Sequence, residues 1–314
     1  MSDPTRPPLR FPQTPALRVN EFLQQLINGL SLGAIYALLA LGYTMVYGVL
    51  RFINFAHADV FMVGSFVGYY AAQKIPTGTL WGGLAVLLAA MLACALLGMA
   101  IERFTYRRLR EGPKLNVLIT AIGMSLLLEY GVQLLFGSTP RNFPAVFPVT
   151  QFQFGALTVS SNQLIVIVTS AVLLVGLQLI VYRTRLGAAM RAVSLNPRAA
   201  QLVGVNLNTV ITFTFALGSA LAGAGGVLYA LNYPSIDPFM GVMPGLKAFV
   251  AAILGGIGSL PGAALGALIL GGAETLVGGS QYSTYKDAIA FGLLILIMLL
   301  RPAGLLGRST VEKV

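Results

Sequence analysis

A chain of 314 residues that is 56% hydrophobic and only 10% charged, with mean hydropathy +0.81, is not an ordinary soluble domain. Its 20 Lys and Arg outnumber its 10 Asp and Glu, giving a formal charge of +10, but that excess sits in short segments between apolar runs rather than on a face interleaved with aromatics, which excludes a nucleic-acid binder. A single cysteine, Cys94, excludes an intrachain disulfide, and a single histidine with scattered carboxylates supplies neither a catalytic set nor a metal-ligand cluster.

Residues 1–20 are rich in Pro and Arg and lack the apolar core of a signal peptide, so they are expected to form a disordered tail ahead of an uncleaved first span. Apolar segments 22–50 and 60–73 flank the polar stretch Arg51-Phe-Ile-Asn-Phe-Ala-His-Ala-Asp59. Two full crossings here would leave Arg6, Arg10 and Arg18 outside. A dip of residues 41–73 into the membrane and back keeps them inside, and the positive-inside rule favours that second topology. Within the stretch, Asn54, His57 and Asp59 read as groups at an unwound helix end beside a translocation path. They equally suit an ordinary turn with Asn54 as a cap and Asp59 paired to Arg51.

Segments 80–101, 115–136, 163–182 and 209–231 each have the apolar length of about 20 residues that a crossing needs. The basic segments 102–114 and 182–198 are expected as cytoplasmic loops, which puts 137–162, with only Arg141, outside. Small residues recur four apart at Gly29/Gly33, Gly64/Gly68 and Gly262/Gly266, a spacing that favours close helix packing. Glu129 and Glu274 place carboxylates in apolar runs, where a charge is costly unless paired or wetted, and Glu274 is the better candidate for a path residue.

The segment from Arg183 to Asn206 predicts a short cytoplasmic helix, with Asn196 as N-cap, Pro197 at the first position and Gly204 as the stop. Ala199, Ala200 and Val203 form a small apolar face, with Arg198 and Gln201 at its edge. Such a helix fits a groove on a partner protein or lies on anionic lipid. Further on, Pro234, Pro238 and Pro244 exclude a continuous helix over 233–247, which is expected outside, with Asp237 and Lys247 placed to close a gate, to meet a docking protein or to form a plain surface pair. Segments 247–260, 262–277 and 287–300 are short for full crossings and read in part as half-spans or re-entrant pieces. The last must end inside to hold Arg301, Arg308 and Lys313 there. The expected fold is thus all-α, a polytopic transmembrane helical bundle of about 8 to 9 membrane segments over residues 21–305, with a cytoplasmic loop at 183–208 and a cytoplasmic tail at 306–314.

Four motifs appear in order: Asn28-Gly-Leu-Ser-Leu-Gly-Ala-Ile-Tyr-Ala-Leu, Ile53-Asn-Phe-Ala-His57, the Gly187-to-Gly204 loop, and Leu246-Lys-Ala-Phe-Val-Ala-Ala-Ile-Leu-Gly-Gly-Ile-Gly-Ser-Leu-Pro-Gly262. Together they resemble the LivH-type permease subunit of branched-chain amino acid ABC importers, from about Asn20 to the end. One departure is Ala58-Asp59, where members often show Gly and then an acidic residue. The resemblance implies a heterodimer with a second, homologous permease, two cytosolic ATPase subunits and an extracytoplasmic solute-binding protein, in the bacterial inner membrane. It also implies that Arg191, Asn196, Pro197, Arg198, Ala199, Ala200 and Gly204 belong to the segment that couples to an ATPase. No Gly-x-x-x-x-Gly-Lys-[Ser/Thr] loop occurs in the chain, so no cofactor is expected on it, and ATP with Mg is used by the partner ATPases. The implied mechanism is alternating access for Leu, Ile and Val. The competing readings are a urea or short-amide importer of the same architecture, and an ion-coupled transporter using Asp59, Glu129 or Glu274.

Overall fold

Continuous apolar length dictates the architecture, since a backbone in lipid must satisfy its own hydrogen bonds and does so as helix. The computed structural model describes residues 15–110 and 112–307; Arg6, Arg10, Arg308 and Lys313 lie outside the described residues. Eleven helices are described: α1 Pro15–Leu50, α2 His57–Ala72, α3 Leu80–Leu109, α4 Lys114–Phe136, α5 Ser161–Arg183, α6 Arg185–Leu195, α7 Pro197–Leu202, α8 Leu207–Asn232, α9 Val242–Gly255, α10 Leu260–Gly278 and α11 Lys286–Leu300. Seven are long and apolar enough to cross a bilayer, namely α1, α3, α4, α5, α8, α10 and, with its preceding turn, α11; α9 is a shorter apolar helix and α2 spans 16 residues. Two antiparallel ribbons decorate one face, β1 Arg141–Asn142 with β4 Ser235–Ile236, and β2 Gln151–Phe154 with β3 Leu157–Ser160.

Burial separates centre from periphery. The most apolar window of α1 is 89% buried within the chain and that of α8 72%, whereas those of α4, α5 and α11 are only 22%, 22% and 6% buried and turn leucines outward to lipid or partners. Close approach needs small residues where helices cross. Gly29 and Gly33 lie against Gly271 and Gly272 of α10, Gly64 against Gly223 of α8, and Gly266 against Ala251 and Gly255 of α9, so the spaced glycines are packing surfaces. A Cβ on Gly64 would come within 2.5 Å of the Gly223 backbone.

Long-range bonds fix which helix ends share a face. Arg51, just past α1, donates to the Ser194 carbonyl of α6; Arg110 donates to Asn208 of α8; and the Leu305 and Leu306 amides donate to the Leu254 and Gly255 carbonyls. This face carries Arg103, Arg107, Arg108, Arg183, Arg185 and Arg198, so it is cytoplasmic. On the opposite face, Gln24 donates to Thr158, Gln163 to Asn28, Arg141 to Tyr70 and Asn162 to Leu231.

Three expectations are corrected. Because α1 is one helix of 36 residues, about 54 Å long, its start lies beside the external β3 and its end at the cytoplasmic face. The amino end is therefore outside, and α2 returns as a real crossing rather than a dip. Residues 15–20, expected in the disordered tail, belong to α1. The basic segment after residue 101 is helical to Leu109, because Glu102 is fully buried and gathers Arg107 at 2.9 Å, Arg110 at 2.7 Å and Thr212 of α8 at 2.7 Å, closing a widened turn at Glu102–Tyr106.

Candidate functional site

Three polar regions interrupt the apolar bundle, one on the cytoplasmic face, one at the break before α2 and one on the external face. The cytoplasmic one is the hairpin α6–α7. Thr184 caps α6 by accepting from the Gly187 amide at 3.0 Å, Asn196 caps α7 by accepting from the Ala199 amide at 3.1 Å, and Pro197 begins that helix. Gly204, at φ +86°, ends the turn in the left-handed region that L side chains avoid. Arg191 donates to the Val181 carbonyl and lies over the Tyr182 ring at 5.5 Å, so it pins the hairpin to α5 instead of facing a partner. Ala200 is buried against the body, while Asn196, Pro197, Arg198, Ala199 and Gly204 are exposed. Around them stand Leu195, Leu202 and Val203 at 77%, 89% and 79% exposure, apolar side chains that the sequence reading did not single out apart from Val203.

At the break between α1 and α2, Asn54, His57 and Asp59 are all buried. Ala56 occupies the cap position and no side chain caps the helix. Asn54 instead accepts from the Tyr106 hydroxyl at 2.7 Å, fastening the break to the widened turn of α3. Asp59 accepts from Ser125 of α4 at 2.5 Å, while Arg51 turns to the Ser194 carbonyl, so the two do not pair. The His57 ring bonds the Leu39 carbonyl, stacks edge-on to Tyr43 at 4.8 Å and leaves Nε2 without a partner against Gly42, where any Cβ would overlap the ring. Asn54, His57 and Asp59 therefore look inward to three different helices rather than converging on one space.

Near the external face the structure joins two residues the sequence reading kept apart. Lys247, in α9, is 5% exposed and bonds Glu274 of α10 at 2.5 Å and Asp287 of α11 at 2.7 Å; Glu274 also accepts from the Tyr36 hydroxyl at 3.0 Å. Lys247 is thus neither at a surface gate nor beside Asp237, whose carboxylate is occupied with the Phe239 amide at 2.9 Å. Pro244 sits in the first turn of α9, where it costs no helical hydrogen bond, so the helix begins at Val242, earlier than the expected 247. Beside Glu274 opens a cavity of about 480 Å³, lined by Asn28, Ser31, Asn162, Gln163 and Tyr233 among others. Burial and the neighbouring Glu274 carboxylate raise the Tyr233 phenol above its usual range, keeping it neutral. Among the described residues no group of three or more His, Cys, Asp and Glu is arranged to hold a metal ion.

Many apolar crossings, a short helix that begins at a buried polar break, a polar external cavity and a capped cytoplasmic hairpin define a multi-pass membrane permease. The chain belongs to the family described as branched-chain amino acid transport system, permease component, which matches residues 25–298. It is 44% identical, over 94% of its length and 99% of the relative's, to the high-affinity branched-chain amino acid transport system permease protein BraD of Pseudomonas aeruginosa. It is 42% identical to LivH of Escherichia coli and 41% identical to LivH of Salmonella typhimurium, proteins with the same high-affinity description, each over 93% of this chain and 98% of the relative.

Proposed function

We propose that the chain is the membrane-spanning permease subunit of an ATP-driven importer that carries leucine, isoleucine and valine into the cytoplasm across the bacterial inner membrane. The substrate class is supported by the near full-length likeness to BraD and LivH, whose descriptions name branched-chain amino acids. The chain carries no phosphate-binding loop, so the energy enters from another polypeptide, a pair of cytosolic ATPases using ATP and Mg. A second, homologous permease covers the outward-facing leucines of the peripheral spans, and a solute-binding protein delivers the amino acid to the external face.

The observation that carries the ATP-coupled reading is the hairpin α6–α7. It is capped at both helix starts, pinned by Arg191, and presents Leu195, Leu202 and Val203 to water around Arg198. Exposed apolar side chains on a rigid mount mark a protein-binding surface. Closure of the ATPases would push or pull this mount and rock α5 and α8, to which it is attached at both ends. Arg198→Glu and Leu202→Glu, both on exposed positions, should abolish leucine uptake and co-purification of the ATPases while leaving membrane insertion intact. Normal uptake in both variants would remove the coupling assignment.

A further inference from the structure

Between Arg141 and Arg183 the chain carries no Asp, Glu, Lys, Arg or His, although residues 142–160 precede the span α5 on the external side. The other external segments hold Lys74, Asp237, Lys286 and Asp287. An uncharged external loop is particular to this place.

Its β2–β3 ribbon has two unlike faces. Gly155, at φ +64°, takes the first of the two turn positions, where a hairpin loop of this length needs the left-handed region. The register pairs Phe152 with Val159 and Phe154 with Leu157, which puts these four apolar side chains on one face and Gln151, Gln153, Thr158 and Ser160 on the other. Phe152 is 44% exposed and Phe154 67%, so two aromatic rings stand uncovered on the apolar face.

The ribbon is fastened at both strands. The Gln24 carboxamide of α1 accepts from the Thr158 amide at 3.0 Å and donates to the Thr158 carbonyl at 2.9 Å, as a neighbouring strand would. Where the ribbon runs into α5, the Ser161 amide donates to the Thr150 carbonyl at 2.8 Å, and the Thr150 amide to the Ser161 hydroxyl at 3.0 Å. This mount sets the depth of the rings. Helix α5, of 23 residues, is about 34 Å long, and α1 rises about 39 Å from Gln24 to Leu50. Both lengths exceed the roughly 30 Å of hydrocarbon and stay within the roughly 40–45 Å that includes the headgroups. With Arg183 and Arg51 at the cytoplasmic boundary, the ribbon sits in the outer headgroup layer.

We propose that the β2–β3 ribbon is a lipid anchor, with Phe152 and Phe154 inserted where the headgroups of the outer leaflet meet the acyl chains. Apolar side chains bind that boundary in proportion to the area they bury there. The absence of charge suits it, since no ion has to be brought toward hydrocarbon. A soluble docking partner would be met by a polar rim and by charges that steer it, and residues 142–160 offer no charge. The anchor holds the external ends of α1 and α5, which Gln163 also joins to Asn28 at 2.8 Å, at one depth in the leaflet.

Site-specific photocrosslinking tests the anchor. The photoreactive residue p-benzoylphenylalanine, built on the Phe skeleton, would replace Phe154, Phe152 and, on the opposite face, Gln153, one at a time. The full chain would be co-expressed with its partner subunits in the inner membrane, irradiated there and purified as a monodisperse complex. Intact mass then reads what each position touches. Phospholipid adducts at Phe152 and Phe154, lost at Gln153, are the expected result. Adducts to another polypeptide, equal lipid adducts at all three positions, or no adduct at Phe152 and Phe154 would each overturn the anchor.

Discussion

Lys247 holds two carboxylates from two other helices, and it is the residue on which the external half of the bundle converges. Removing one partner of a buried ion pair costs roughly 3–5 kcal/mol, because the remaining charge stays buried and unpaired. Lys247→Met should therefore strip stability from the chain in detergent. Asp287→Asn should cost under about 1 kcal/mol, since the Asp287 side chain is 42% exposed and water screens it. Thermal unfolding of both variants checks this, and equal losses would contradict the assigned geometry. Glu274 was legible in the sequence because a carboxylate in an apolar run must be answered. Which cation answers it was not, since Lys247 belongs to another helix and the pairing depends on how α9 and α10 lie against each other. The same holds for Asp59, whose partner Ser125 sits on α4, while the nearer Arg51 turns to Ser194.

The hairpin α6–α7 shows what an element reveals locally. Asn196, Pro197 and Gly204 are cap, first position and stop within one short segment, so that helix was readable without knowing the fold. The helical extension of α3 was not, because what stabilises it is Glu102 meeting Thr212 of α8, 110 residues away in sequence. The role of Arg191 was also hidden, since its partners are at the end of the preceding span. Arg191→Leu should leave the exposed patch intact and loosen its mount. The expected result is ATPase binding retained with uptake per ATP hydrolysed reduced; an unchanged ratio of uptake to hydrolysis would show that the pin carries no coupling.

At the scale of the whole molecule, apolar length alone foretold a polytopic helical bundle. The amino end went the other way because α1 is continuous to Leu50, so the helix that precedes the break crosses completely and its start faces outward. A short epitope tag on the amino terminus should accordingly be reached by antibody on right-side-out vesicles; recognition only after permeabilisation would reverse the assigned orientation. ATP-driven import is checked by labelled leucine uptake. The vesicles would hold this chain, its partner permease and the two ATPases, with binding protein outside and ionophores collapsing every ion gradient. Uptake that requires internal ATP and persists under the ionophores is the predicted result, whereas uptake that vanishes with the gradients would contradict the claim and shift the mechanism to Asp59, Glu129 and Glu274 as ion sites.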